Sequence, residues 1–235
     1  NGQKGELVFP AYYTWSRLGV KIGFIGYTDP LVPIRQSPNY SKGIVYTKPE
    51  ESLPNYVNVL REQEQCDFVI ILAHLGLSQQ IALANMPACE GVDYIFGGDT
   101  HERVREPIVC QYARVVEPGA FGSFVGRLDL EVTDGKITAQ RYELMEVDPK
   151  KYEAKKEITA LIEQVESPYH AEIEKVVGYS TVPLYRYFVV ENTIDTLILD
   201  ALEWKVGTEI VLSNGFRFCP PRSTPDATGN IPITE

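Results

Sequence analysis

Three residues in the stretch 67–103 have side chains and a spacing that could hold a metal ion: His74, Asp99 and His101. Imidazole nitrogen together with carboxylate oxygen suits a borderline or hard divalent cation such as Zn, Mn, Fe or Co. The chain has three histidines, and two of them lie here. His74 follows the apolar run 68–72 within DFVIILAHLGL, with Gly76 two places on. Asp99 and His101 follow a second apolar run, 92–96, within GVDYIFGGDTHER, directly after Gly97 and Gly98. A glycine pair at that point is expected to let the backbone turn sharply enough to aim residues i and i+2 into one cavity. The same pattern also fits a plainer arrangement, in which His74 caps a buried strand and His101 lies on the surface.

The elements that would position these residues can be read from the runs themselves. Residues 79–86 read as a short helix, and Pro87 and Gly91 mark the turn into the next strand. Strand, helix, strand with fully apolar strands is the pattern of a parallel unit buried on both faces. Ligands in such sheets collect beyond the carboxyl ends of the strands. His74, Asp99 and His101 are therefore expected at one edge of one sheet.

AHLGL followed by GVDYIFGGDTHER resembles the last two motifs of the calcineurin-like metallophosphoesterases, specifically the 5′-nucleotidase branch. There the motifs usually read H-x-G and G-G-H-[ST]-[HQ]. Downstream, VEPGAFGSFVGRLDLEVTDGKI is similar to the segment that follows the metal motifs in that branch. Upstream, VKIGFIGYTDP resembles the strand before its central loop. The likeness covers most of residues 8–147 in the family's order and spacing. It implies two divalent metal ions (Mn, Zn, Co or Fe), with His74 and Asp99 on one and His101 on the other. Asp99 departs from the usual histidine, which adds negative charge and favours a harder metal. Asp99-Thr100-His101 could also be parsed as the family's first motif, D-x-H. That parse fails because no G-D or G-N-[HD]-[ED] follows it and His74 would be left without a role.

Composition bounds the alternatives. An apolar content of 44% with 23% charged residues is that of a globular protein. No apolar run approaches the roughly 18 residues of a membrane span, and NGQKGELVF has neither the basic nor the apolar region of a signal peptide. A net charge of −10 argues against nucleic acid and anionic membranes as partners. The four cysteines, Cys66, Cys89, Cys110 and Cys219, show no zinc-binding spacing. A Cys89–Cys110 disulfide is compatible with the sequence but does not follow from it. The resemblance, whose branch is mostly secreted, periplasmic or surface-held, tilts the expected location to outside the cytoplasm.

Along the chain, residues 7–12 and 20–27 read as strands, and the proline-rich loop after Thr28-Asp29-Pro30 reads as surface. A helix is expected from Pro49 to about residue 65, and strands over 113–116, 124–132 and 136–147, the last two joined at Asp134-Gly135. Pro149 opens a charged helix with Ile158, Leu161, Ile162 and Val165 on one stripe, interrupted at Ser167-Pro168. His170 lies in it, away from any ligand cluster. Beyond it, 176–184 reads as a strand, 192–205 as a helix and 208–218 as a strand.

ENTIDTLILDAL resembles the helix that opens the family's second domain, and LSNGFRF its N-x-G-G-x-R type loop. By that resemblance Asn214 and Arg217 bind the substrate, with Arg217 on its phosphate. A guanidinium on a glycine-turned loop is a bidentate anion clamp, although a surface salt bridge would equally account for it. NGFRF also resembles the thiosulfohydrolases of sulfur oxidation, which share the architecture.

The fold expected is α/β: the C-terminal portion of a layered α/β/β/α metallophosphoesterase domain (1–148), a linker helix (149–175) and the start of a smaller α/β substrate domain (176–235). The family's first three motifs, which carry the catalytic histidine, are not in this sequence, so the chain itself is expected to supply no catalytic residue and to be inactive alone. It would work with a partner, either the missing N-terminal half or a second copy. The reaction implied is dimetal hydrolysis of phosphate esters, with nucleotides as substrates. A thiosulfohydrolase and a non-catalytic relative that has lost its metals are the alternatives.

Overall fold

A two-residue turn starts the first sheet. Leu18 and Gly19 both take positive φ (53° and 79°), which returns β1 (Tyr12–Arg17) antiparallel onto β2 (Val20–Thr28). That turn sets the register, with Arg17 opposite Val20, so the first strand runs over Tyr12–Arg17 and not over 7–12 as the residue pattern suggested. The computed structural model describes residues 7, 9–186, 190–213 and 221–234. They divide into two units, Asn1–Tyr152 and Glu153–Glu235.

In the first unit the chain continues through α1 (Val32–Arg35) and α2 (Pro49–Asn58), which runs on into a π-helical turn, Val59–Gln63. Proline at the first position of α2 and Glu50 and Glu51 in its first turn satisfy the rules for a helix start. Then come β3 (Phe68–His74), α3 (Leu77–Ala84), β4 (Tyr94–Gly97), β5 (Ile108–Val109) and β6 (Arg114–Val116). The hairpin β7 (Phe124–Thr133) and β8 (Lys136–Glu146) turns at Asp134-Gly135, again with positive φ at both residues.

The main sheet has the order β1-β2-β3-β4-β6-β5. Its four inner strands, β2, β3, β4 and β6, are parallel, and antiparallel β1 and β5 close the two edges. This is the mixed α/β fold with a parallel sheet expected from the fully apolar runs.

Both faces are covered. Leu53, Val57 and Leu60, with Leu83 and Ala84 of α3, pack on Ile25, Val69, Ile71, Ile95 and Val115. On the opposite face Phe68, Ile70, Tyr94 and Val116 meet Leu128, Leu130, Ile137 and Tyr142 of the hairpin. Helices, sheet and second sheet thus form three layers, and each fully buried Ile or Leu contributes about 1.5–3 kcal/mol. Cys66, Cys89 and Cys110 are free thiols, and burial pushes that of Cys89 up to about 12.

The second unit contains α4 (Lys156–Glu166), α5 (His170–Ile173), β9 (Val176–Ser180), α6 (Thr193–Val206) and β10 (Ile231–Thr234), with β9 and β10 paired antiparallel. Pro149 does not open α4; the helix begins at Lys156, and its stripe of Ile158, Leu161, Ile162 and Val165 is about half exposed. A 3-10 turn at Ser167–Tyr169 interrupts the helical stretch where Ser167-Pro168 foretold. β9 ends at Ser180, short of residue 184, and residues 208–213 form no strand. Asn214 and Arg217 lie outside the described residues.

Candidate functional site

The carboxyl ends of β2, β3 and β4 lie side by side. Thr28 pairs with His74, and Ala73 with Gly97, so the residues that follow each strand emerge at one level of one edge. His74 ends β3; Asp99 and His101 follow β4. His74 Nε2 lies 3.5 Å from Asp99 Oδ1. The two are brought together across adjacent strands, although they are 25 positions apart in the chain. His74 is largely exposed and Asp99 about one-quarter exposed.

His101 is placed differently. It takes φ 63° and sets its ring edge-on to Phe121 at 5.6 Å between centroids. Among the described residues no group of three or more histidine, cysteine, aspartate or glutamate side chains is close enough to hold a metal ion, so His101 does not complete a cluster with His74 and Asp99.

The glycines work by a different means from the turn expected of them. Neither Gly97 nor Gly98 has a positive φ; the left-handed residue is His101. Gly97 is required for space, because a Cβ there would overlap the amide of Gln80, a fully buried side chain of α3. Gly76 faces the loop after β4, since a Cβ on it would lie 3.4 Å from Thr100 Cγ2 and 3.8 Å from Asp99 Oδ2.

The loop after β2 also contributes, against the sequence reading that left it as surface. Asp29 is 3% exposed. Its Oδ1 accepts the Leu31 backbone N–H at 3.0 Å, and its Oδ2 lies 2.6 Å from Arg35 Nη1. The same Nη1 is 3.7 Å from Asp99 Oδ2. Asp99 therefore stands between an imidazole on one oxygen and a guanidinium on the other. The rule that flagged His74 would have found Asp29, since it directly follows β2, the parallel neighbour of β3. Arg35, on α1, had no such signal.

The donor chemistry of His74 and Asp99 suits a divalent ion, and two donors converge where one would sit. Two are fewer than a stable site needs, so the pair fits a metal as part of a larger ligand set. A cleft of about 200 Å³ lies nearby, lined by Pro30, Leu31, Pro49, Leu75, Gln79 and Met86 among others. A cleft of about 460 Å³ in the second unit is lined by Asp200, Glu203, Trp204, Gly207, Thr208 and Glu209 and holds none of the candidate residues.

A parallel sheet covered by helices on one face and a second sheet on the other is also the fold of Thermus thermophilus sulfate thiohydrolase SoxB. The likeness has a TM-score of 0.79 at 23% identity, covering 87% of this chain and 37% of that one. In sequence the chain is 27% identical over 175 residues to a Vibrio cholerae 5′-nucleotidase, covering 63% of this chain and 32% of that protein. It is likewise 27% identical over 231 residues to the trifunctional nucleotide phosphoesterase protein YfkN of Bacillus subtilis, covering 91% of this chain and 15% of that protein. No family model matches the chain. These likenesses give it a family relationship to the metallophosphoesterases of the 5′-nucleotidase type, which are hydrolases. The chain spans about one-third of the 5′-nucleotidase it matches and a smaller share of YfkN. Among the described residues no helix is long and apolar enough to cross a membrane.

Proposed function

We propose that this chain is part of a dimetal hydrolase of phosphate esters, with nucleotides as its substrates, and that it contributes His74, Asp99 and His101 to the metal site. The observation that carries the reading is the His74–Asp99 approach of 3.5 Å at two adjacent parallel strand ends, the position at which such sheets bind ligands. Two ions bound there would activate a water for in-line attack and offset the charge that develops on the phosphoryl group. Asp99 and His74 would hold an ion, while Arg35 neutralises the excess carboxylate charge at Asp29 and Asp99. Arg217, with Asn214, would bind the substrate phosphate. The remaining ligands and the general acid would come from polypeptide outside this chain, either a preceding segment of the same protein or a partner. By resemblance the protein works outside the cytoplasm.

A second reading, a thiosulfohydrolase acting on a sulfonate-bearing protein cysteine, is favoured by the wording NGFRF at residues 214–218. The test is to assay the full-length protein with Mn, Co or Zn against a nucleoside monophosphate and against a thiosulfonate-bearing protein. Nucleotide turnover abolished by His74→Ala supports the first reading, and turnover of the second substrate alone supports the other. No turnover of either would leave the protein a non-catalytic relative and refute both. Residues 1–235 alone should be inactive. Ester hydrolysis by that chain that disappears in His74→Ala would refute the shared site.

A further inference from the structure

Glu117, the residue after β6, is fully buried, yet it belongs to none of the roles above. Buried carboxylates persist only where donors satisfy them, and those of Glu117 come from α3 and from the loop after β4. Gln80 Nε2, on α3, donates to Oε2 at 3.3 Å. Thr100 Oγ1 lies 3.3 Å from both carboxylate oxygens, and the backbone N–H of Glu102 donates to Oε1 at 3.1 Å. The backbone reinforces the grip, because Val104 N–H donates to the Glu117 carbonyl at 3.0 Å and Gly119 N–H to that of Glu102 at 2.9 Å.

Thr100 carries the connection one step further. Its hydroxyl, donating to Glu117, accepts the backbone N–H of Leu77 at 3.1 Å. Leu77 is the first residue of α3, and its N–H is one of the donors a helix leaves without an internal partner. The chain of bonds therefore runs from β6, through the residue between Asp99 and His101, to the loop that begins at His74. It fixes three strand ends against each other with one buried carboxylate.

We propose that Glu117, acting through Thr100, is the positioning residue that holds the Asp99–His101 loop in register with His74. The inference rests on the reading of those three residues as metal donors, and it adds residues that touch neither metal nor substrate. Outer groups of this kind set ligand orientation, and their loss commonly weakens metal binding 10–100-fold.

The test uses the full 235-residue chain, in which three histidines give three resolvable imidazole signals and His170, in the other unit, is an internal control. Thr100→Val removes the hydroxyl with little change of shape, and Thr100→Ser restores it. Glu117→Gln keeps an acceptor for Thr100 and Glu102, whereas Glu117→Leu keeps none. In Thr100→Val and Glu117→Leu, amide exchange at Leu77 and Glu102 should accelerate up to about tenfold, the loss of a hydrogen bond, with His74 and His101 signals shifted and His170 unmoved. The Ser and Gln variants should stay close to the parent chain. Line broadening by Mn²⁺ should reach His74 and His101 in the parent chain and weaken in the two disruptive variants. Unchanged exchange and imidazole signals in Thr100→Val would overturn the proposal. So would uniform acceleration across the first unit, which is the mark of a merely structural role. A parent chain whose histidines ignore Mn²⁺ would sink the metal reading, and the exchange data would still decide on Glu117.

Discussion

Removing Arg35 should expose how much the first unit depends on one ion pair. The Asp29 side chain is 4% exposed and that of Arg35 is 48% exposed, with 2.6 Å between oxygen and nitrogen. Breaking a fully buried pair costs about 3–5 kcal/mol, and an exposed pair contributes about 0.2–1 kcal/mol. This pair has one partner of each kind, and without Arg35 the carboxylate keeps, among the described residues, only the Leu31 N–H. Arg35→Ala should therefore cost about 2 kcal/mol, because water can enter from the vacated side but cannot surround Asp29. Asp29→Asn should cost about 1 kcal/mol, since the guanidinium left behind is half solvated. The double variant should lose about 1 kcal/mol less than the sum, the coupling expected of residues in direct contact. Urea unfolding followed by tryptophan fluorescence measures all three. Trp15 lies in β1 and Trp204 in α6, so a Trp204→Phe background isolates the first unit. A coupling below about 0.3 kcal/mol would show that the pair does not hold in solution and would remove Arg35 from the account of Asp99.

Three further outcomes follow from named residues. Gly97→Ala should destabilise the first unit by about 1–3 kcal/mol through overpacking against Gln80, and Gln80→Ala in the same chain should recover part of the loss in the same urea assay. The Arg186 hydrogen bond to Asp195, aided by Ser213 and Asn192, holds the Asp195 carboxyl below the usual carboxylate range. Because the folded value is depressed, its contribution is complete above the unfolded value of about 3.9 and is lost as pH falls through the folded one; stability against unfolding, monitored at Trp204, should fall in acid, and Asp195→Asn should flatten that dependence. On the proposed function, Arg217→Ala in the full-length protein should raise KM for a nucleotide roughly tenfold or more, the effect of losing a hydrogen bond to a charged group of about 1.5–3 kcal/mol, with metal content unchanged. An unaltered KM, or lost metal, would contradict the assignment.

What could be read from the residues was what periodicity and chain order determine. Continuous apolar runs at 68–72 and 92–96 gave the parallel strands, and their polar ends gave the edge at which His74 and Asp99 meet. Three kinds of information were not local. The start of β1 depended on a positive φ at Leu18, a residue type that rarely adopts it. The need for Gly97 depended on where Gln80 of another element packs. Arg35 and Glu117 acquire their roles from partners 6 to 64 positions away along the chain, and no spacing rule reports such partners. The approach of Asp99 to the Arg35 guanidinium was likewise beyond what the motif could convey.

The strand order of the first unit bears on how the chain reaches this structure. From β1 through β4 every strand lies beside the one made just before it, and only β5 and β6 exchange places. Each pairing therefore closes a loop of modest length, the longest being residues 29–67 between β2 and β3 with α1 and α2 in it, which keeps the entropy of closure small. A polypeptide emerging from the ribosome could add strands one at a time to an existing edge, without waiting for a distant segment. Strand addition in this order shortens the time for which apolar strands such as β3 stay exposed, the period in which parallel sheets are most prone to aggregate.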